Sequence, residues 1–259
     1  MSQWDAQQYL LFHDQRTQPC IDLVQHIELK SPETIIDLGC GPGNSTKVLA
    51  ERWPNALVTG LDNSSEMLTE ARTLHPQWRW VLGDIRTFAS DRDGLKYDMV
   101  FSNAALQWLT DHARLFPQLF NRVEPGGALA VQMPAVLDSP AQYSILELIQ
   151  DPRWEKHFRE PLRDWFHHDL HFYYSLLAAS ARRVDLWQTT YLHIMSGPND
   201  IVEWYRGTAL RPYLQALPDD FTRQEFLCEY SQQIAQAYPA QPNGRVLFPF
   251  KRIFIVAYC

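Results

Sequence analysis

Short apolar, β-branched runs alternate with amphipathic stretches along the first half of the chain. The strand-like runs lie at residues 34–38, 57–61, 78–82, 97–103 and 128–133. Helix-like stretches lie at residues 44–53, 65–74 and 110–123. Because short connections join strand to helix to strand, the pattern predicts a parallel α/β sheet with helices on both faces.

The second half of the chain follows a different pattern. Residues 134–183 and 198–240 are rich in aromatic side chains and read as helical insertions that cap the sheet. A β-branched run at 184–193 predicts a sixth strand, and residues 244–259 predict a closing strand or hairpin. We expect a single domain over residues 1–259.

The N-terminal residues 1–30 also read as helical, with a break at Pro19. Aromatic residues ahead of this break, Tyr9 among them, have two interpretations of equal weight. They pack in the core, or they belong to a lid that excludes water from a cofactor.

One glycine-rich turn organises this pattern. It follows the first strand and reads D-x-G-x-G-x-G, from Asp37 through Gly39, Gly41 and Gly43. A buried strand, a tight turn and a helix N-terminus are predicted here. Since glycine has no Cβ, the backbone can pass close beneath a ligand at the carboxyl end of the sheet.

The charge of this turn narrows the choice of ligand. The dinucleotide fingerprint needs glycine at position 44, where the chain has Asn44, and no phosphate-loop motif is present. Asp37 suits a cationic ligand and would repel a pyrophosphate. S-adenosylmethionine carries a sulfonium and an ammonium but no phosphate, so it fits; a turn that binds no ligand is the alternative.

The second strand ends in Asp62, nineteen residues past Gly43. This spacing is typical of an acidic residue that accepts hydrogen bonds from both ribose hydroxyls of an adenosine, although a strand-end aspartate also caps helices. Asn63 and Met67 follow, where they would line the adenosine pocket.

These motifs resemble those of the class I S-adenosylmethionine-dependent methyltransferases. The resemblance implies a Rossmann-like, seven-stranded, mostly parallel sheet whose last strand is antiparallel and lies beside the sixth. It also implies that Asp84 accepts from the adenine amino group and that Ile85 covers the base, although Asp84 also suits an ordinary turn. Asn103, after the fourth strand, would anchor the methionine moiety, and Trp108 would wall the substrate or pack in the core.

The composition narrows the cellular compartment and the binding partners that we expect for this protein. A formal net charge of −7 disfavours a large nucleic-acid substrate. The four cysteines are scattered without a metal-binding or disulfide pattern, and no apolar run is long enough to span a membrane. We expect a cytoplasmic monomer.

Further motifs, in order along almost the whole chain, resemble the trans-aconitate methyltransferase family. They read W-x-x-x-x-Y-L-x-F, D-L-G-C-G-P-G-N-S-T, N-A-x-L-Q-W-L-x-D-H, A-V-Q-M-P, T-T-Y-x-H, G-T-A-L-R-P-Y-L and R-I-F-I-V-A. The resemblance implies transfer of a methyl group from S-adenosylmethionine to a carboxylate of trans-aconitate. The insertion from Arg153 to Tyr174 departs from the family pattern. Its His167, His168 and His171 suggest a metal site, but exposed or packing histidines are favoured over a metal.

Carboxyl methylation fits what the sequence lacks. A carboxylic acid with a pKa of about 4 is ionised at neutral pH, so no catalytic base is required, only alignment and exclusion of water. A small anionic acid does need cations to bind it. The predicted substrate-binding residues are His13, Trp108, Arg206, Arg211 and Arg252.

Other activities are open at this stage. The enzyme could methylate another small molecule or a malonyl carboxylate on a carrier protein, although no basic patch suggests a carrier. A non-catalytic sensor of S-adenosylmethionine is a second class. A nucleic-acid methyltransferase is disfavoured by the missing asparagine-proline-proline-aromatic motif and by the negative charge.

Overall fold

A computed structural model describes residues 13–91, 93–158 and 165–259, with only the backbone described for residues 13–16. Within these ranges the chain forms seven strands: β1 (Thr34–Leu38), β2 (Leu57–Asp62), β3 (Arg79–Leu82), β4 (Tyr97–Asn103), β5 (Val123–Pro134), β6 (Arg183–Met195) and β7 (Val246–Tyr258).

The described strands form one sheet in the order β3-β2-β1-β4-β5-β7-β6. The strands from β1 to β5 pair in parallel, and β7 lies antiparallel between β5 and β6. The predicted fold class is therefore confirmed, including the antiparallel last strand beside the sixth.

Helices connect and cover these strands. They are α1 (His13–His26), α2 (Asn44–Arg52), α3 (Ser65–Leu74), α4 (Ile85–Ser90), α5 (His112–Phe120), α6 (Pro140–Gln150), α7 (Pro152–Glu155), α8 (Leu170–Leu177), α9 (Pro198–Arg206), α10 (Arg211–Ala216) and α11 (Asp220–Ala237). A short 3₁₀ turn, Leu106–Trp108, follows β4.

Separate apolar cores lie on the two faces of the sheet. Ile35 packs in the core beneath α1 and α2, whereas its neighbour Ile36 packs in the core beneath α5 and α8. This follows from the alternation of side chains along a strand. A third, aromatic core joins α6, α9 and α11 to the start of β7, where Trp204, Tyr230 and Phe248 are buried together.

The predicted helix break at Pro19 is wrong, because α1 runs through it. Proline costs a helix one backbone hydrogen bond. Cys20, Leu23 and Val24 follow it and are almost completely buried in the core beneath α1. Their burial outweighs the local preference of proline. Across the described ranges, the helices are too short or too polar to cross a lipid bilayer.

Candidate active site

A cavity of about 360 Å³ opens where the parallel strands end. Its size lies within the range of about 300–1,000 Å³ that is common for small-molecule sites. The residues that follow β1, β2, β3 and β4 line one part, and residues of α9, α10 and β7 line another. This is the edge at which open α/β sheets bind ligands.

The glycine turn has left-handed backbone at Gly39, Gly41 and Gly43, with φ of 72°, 55° and 98°. A Cβ at Gly39 would lie 2.3 Å from the Ala105 Cβ, and one at Gly43 would lie 2.7 Å from the Trp80 ring. These two glycines therefore accommodate the protein's own side chains. A Cβ at Gly41 would meet no described atom within 4 Å, and Gly41 lines the cavity. Of the three, Gly41 best fits the idea of backbone exposed beneath a ligand.

Asp37 lies beneath this turn and does not face the cavity. It is fully buried, and its Oδ2 accepts hydrogen bonds from the hydroxyls of Ser45 at 2.6 Å and Thr46 at 2.7 Å. Burial raises the pKa of Asp37 from 3.8 to about 6, although the two hydroxyl bonds oppose this shift. Asp37 is not among the described residues that line the cavity, and its Oδ2 ties the start of α2 to β1, so its contact with a ligand stays a prediction.

Asp62 does line the cavity, at the end of β2. Its Oδ2 accepts from the backbone N–H of Gly41 and its Oδ1 from that of Ser64, each at 2.9 Å. An ionised carboxylate has about four acceptor positions, so these bonds fix its orientation and leave capacity for a diol. Asn63 and Met67 line the same part of the cavity.

Asp84 and Ile85 also line the cavity, at the start of α4. The Asp84 Oδ1 accepts from the backbone N–H of Arg86 at 2.6 Å and thus caps the helix. The Asp84 Oδ2 lies 3.9 Å from the Arg86 Nη1, and the expected contact of Asp84 with adenine stays a prediction.

The end of β4 and the turn that follows it also line the cavity. Asn103 lines it, and the buried Oδ1 of Asn103 has no hydrogen-bond partner among the described residues. Trp108 lines it too and meets Trp165 edge to face, with ring centroids 5.9 Å apart. Gln107, which precedes Trp108 in the turn, is buried, and its Nε2 donates a hydrogen bond to the Ala104 carbonyl at 2.7 Å.

The basic residues of the cavity are Arg211, at the start of α10, and Arg252, on β7. Arg252 is only 4% exposed. Its guanidinium lies over the Phe250 ring at 4.8 Å from the centroid, and its Nη1 donates to Gln132 Oε1 at 3.4 Å. A buried, oriented guanidinium is well suited to bind a carboxylate.

One predicted residue, Arg206, lies apart from this group, and two others lie where the structure gives no side-chain description. Arg206 is among the described residues but does not line the cavity; its exposed guanidinium pairs with Glu203 at 3.4 Å. The geometry therefore does not support its assignment to the substrate, which stays an untested prediction. Tyr9 lies outside the described residues, and the side chain of His13 does too.

Several residues that line the cavity escaped the sequence interpretation: Thr17, Cys20, Gln107, Trp165, Trp204, Thr208 and Gln215. Gln107 lies inside a run that the family resemblance had marked, so this run held a usable signal. Trp165 lies in the insertion, where no local pattern connects it to the strand ends. Within the described ranges, no cluster of three or more His, Cys, Asp or Glu side chains is arranged to hold a metal.

Comparisons with known proteins agree with this geometry. Residues 35–127 match the model of a methyltransferase domain family. Structural likeness to the YcgJ protein of Bacillus subtilis covers 93% of this chain and 98% of that one, with a TM-score of 0.60 and 15% identity. A phosphoethanolamine N-methyltransferase of Haemonchus contortus, in complex with S-adenosylhomocysteine, is similar over 93% of this chain and 52% of its own, with a TM-score of 0.55 and 15% identity. At such identities these structures support the fold.

Sequence relatives go further. A trans-aconitate 2-methyltransferase of Azoarcus sp. is 45% identical, with 99% of both chains covered. Those of Methylobacterium nodulans and Shigella flexneri are 42% and 41% identical, with 99% of this chain and 98% of theirs covered. The chain therefore belongs to the trans-aconitate 2-methyltransferase family and is an S-adenosylmethionine-dependent methyltransferase.

Proposed function

We propose that this enzyme transfers a methyl group from S-adenosylmethionine to a carboxylate of trans-aconitate, giving a monomethyl ester and S-adenosylhomocysteine. The observation that carries the proposal is the division of charge in one cavity. Asp62 ends β2 and Asp84 follows β3, while Arg252 lies on β7. A cationic methyl donor and an anionic acid suit such a cavity.

The sheet order sets the distance between the two strands that carry Asp62 and Arg252. Four strand spacings separate β2 from β7, through β1, β4 and β5. At about 4.8 Å each, this gives about 19 Å between the strand axes. Two small ligands placed end to end fit a span of this size.

The cofactor part of the site fits S-adenosylmethionine. The open backbone at Gly41 gives room beneath a ligand, and Asp62 has acceptor capacity for two ribose hydroxyls. We assign the adenosine to Asp62, Asn63, Met67, Asp84 and Ile85. We assign the methionine moiety to Gly39, Gly41 and Asn103. When bound, S-adenosylmethionine supplies an electrophilic methyl group together with its own leaving group.

The chain then has to bind the acid, orient it and exclude water. Arg211 and Arg252 provide the cations, and Trp108 and Trp165 provide an apolar wall. The acid is already ionised at neutral pH, since its pKa is about 4. No residue has to remove a proton, so we assign no catalytic base. Orientation of this kind can lower a barrier by about 7–11 kcal/mol.

The cap, lid and cellular context belong to the same proposal. We propose that residues 134–183 and 198–240 cap the acid and that residues 1–30 form a lid; α1 supplies Thr17 and Cys20 to the cavity wall. A cytoplasmic location is supported by four free cysteines, which suit a reducing compartment. A monomer without nucleic-acid partners is our working expectation, to be checked by light scattering and by nucleic-acid binding.

The activity is tested with a methyl-labelled donor and a panel of acids. The panel contains trans-aconitate, other tricarboxylic and dicarboxylic acids, and a malonyl thioester. Mass measurement should find a monomethyl ester of trans-aconitate as the preferred product. Faster methylation of the thioester would favour a carrier-bound substrate, and the absence of transfer to any acid would refute carboxyl methylation.

Arg211 tests the basic part of the site. Arg211→Ala should raise the KM for the acid about tenfold to a hundredfold, because a charged hydrogen bond is lost. The affinity for S-adenosylhomocysteine, measured by calorimetry, should stay the same. Arg206→Ala is the matched control: an arginine outside the cavity, five residues away, whose loss should leave both constants unchanged. An unchanged KM for Arg211→Ala would remove it from the site.

A further inference from the structure

A set of hydrogen bonds between the turn after β4 and the histidine-rich insertion is left unexplained by the proposed chemistry. His112, at the start of α5, is completely buried. Its Nε2 lies 3.1 Å from the Leu106 carbonyl oxygen, and its Nδ1 lies 2.8 Å from the Tyr173 hydroxyl. The same hydroxyl lies 3.1 Å from the backbone nitrogen of His168. A chain of hydrogen bonds thus joins the sheet domain to the insertion.

The donors and acceptors of this chain can be assigned from chemistry alone. A carbonyl oxygen only accepts, so the His112 Nε2 carries the proton and donates to Leu106. The His112 Nδ1 then has a lone pair, which accepts from the Tyr173 hydroxyl. The Tyr173 oxygen in turn accepts from the His168 N–H. Every group is satisfied when His112 is neutral, and burial favours this form because it lowers the pKa of His112.

The two segments joined by these hydrogen bonds each carry residues of the cavity wall. Leu106 begins the 3₁₀ turn that carries Gln107 and Trp108, and the segment just before His168 carries Trp165. A backbone hydrogen bond from the Phe166 N–H to the Gln107 carbonyl, 2.7 Å long, joins the same two segments. The spacing of the Trp108 and Trp165 rings therefore depends on how these segments are docked.

The aromatic rings around His112 suggest that its hydrogen bonds fix how the two segments pack. Phe116 packs 5.2 Å and Phe166 4.9 Å from the His112 ring, measured between centroids. Apolar packing alone would tolerate several orientations of such rings. A fully satisfied hydrogen-bond network inside it favours a single one.

We propose that His112 and Tyr173 are positioning residues, which hold the turn after β4 against the insertion and so set the Trp108–Trp165 wall of the acid site. We call this set of hydrogen bonds, from the His168 N–H through Tyr173 and His112 to Leu106, the clasp. Its role in acid binding depends on the proposed function, whereas its role in docking does not.

The first test is Tyr173→Phe, which removes only the hydroxyl. We expect the KM for trans-aconitate to rise about tenfold, because two buried groups lose their partner and the wall loosens. The affinity for S-adenosylhomocysteine should stay within about twofold of the wild-type value. Tyr174→Phe is the matched control, because Tyr174 is the next residue of α8 and is 52% exposed. A lower melting temperature with an unchanged KM would overturn the proposal and leave a purely structural role.

Hydrogen exchange tests the docking without any acid. The Phe166 amide should exchange about tenfold faster in Tyr173→Phe than in Tyr174→Phe, because its bond to Gln107 would open more often. Equal exchange rates in the two variants would contradict the clasp. If the wild-type enzyme failed to methylate trans-aconitate, this measurement would still decide the docking role, so the two proposals can fail separately.

A double-mutant cycle tests whether the two side chains act together. His112→Phe and Tyr173→Phe should each increase the exchange rate, and the double variant should add little to the larger single effect. Fully additive effects would show that His112 and Tyr173 act independently, and would overturn the clasp.

Discussion

The cofactor part and the acid part of the cavity are built in different ways. The residues that we assign to the cofactor lie between positions 39 and 103, at strand ends, in the turns that follow them or, for Met67, in the first turn of α3. The residues assigned to the acid come from the turn after β4, the insertion, α10 and β7. The first set follows from the topology of a parallel sheet, and the second depends on how distant segments dock.

The two parts also fix their charges differently. Asp62 is held by two backbone N–H groups of neighbouring loops. Arg252 is buried between an aromatic ring and the Gln132 amide. Backbone donors come with the fold itself, whereas the setting of Arg252 depends on specific side chains. If this difference is correct, the two parts can be impaired separately.

The largest expected effect is in the acid part. Arg252→Met should raise the KM for trans-aconitate about a hundredfold, since a buried charged partner is lost. Calorimetry with S-adenosylhomocysteine should give an unchanged affinity. Lys251→Met is the control, because Lys251 is the neighbouring cation on β7 and pairs with Asp138 at 2.6 Å. Weaker cofactor binding in Arg252→Met would show that the two parts are not independent.

The second prediction concerns the buried carboxylate beneath the glycine turn. Since the pKa of Asp37 is raised from 3.8 to about 6, the folded state binds a proton more tightly than the unfolded state does. The stability that this proton provides is full below about pH 4 and is lost as the pH rises through about 6. Asp37→Asn should therefore raise the free energy of unfolding at neutral pH, by about 3 kcal/mol.

Urea unfolding across pH 4 to 7 measures this effect. The difference in the free energy of unfolding between Asp37→Asn and the wild-type protein should grow as the pH rises, because only the wild-type protein loses the contribution of the Asp37 proton. Taking this difference cancels the titration of the other groups. Its cofactor affinity should be normal, because Asp37 does not line the cavity. A large loss of affinity would support the interpretation of Asp37 as a ligand contact.

The smallest of these effects is expected at Asp62. Asp62→Asn should weaken the binding of S-adenosylhomocysteine about tenfold, because the amide accepts hydrogen bonds through one oxygen only. The KM for the acid at saturating cofactor should barely change. Asp93→Asn, in an exposed loop, is the control for the loss of one negative charge. Equal affinities in the two variants would argue against a ribose contact.

Most residues that the sequence assigned to the cofactor line one cavity, because their signals are local. The glycine turn, Asp62 and Asp84 each follow a recognisable strand, and parallel strands bring their ends to one edge. The sequence could not show which glycines of the turn face the cavity and which face the protein's own side chains. Gly39 and Gly43 turned out to accommodate Ala105 and Trp80, and that depends on side chains far along the chain.

The acid part was predicted only in fragments. Arg206 and Arg211 lie five positions apart in one predicted helical stretch, and the sequence favours Arg211 only through Pro212, which stiffens the backbone beside it. In the structure α9 ends at Arg206 and a new helix, α10, starts at Arg211, so their side chains lie in different environments. Trp165 was missed for a similar reason, because its place depends on tertiary docking of the insertion.

The position of β7 has a consequence for the order in which the enzyme is assembled. Although β7 follows the other described strands along the chain, it lies between β5 and β6. During synthesis, β1 to β5 and the glycine turn can therefore pair before residues 246–258 have left the ribosome, whereas β6 has to wait for its neighbour. The strands that carry the residues assigned to the methyl donor are thus synthesised before β7, which carries Arg252.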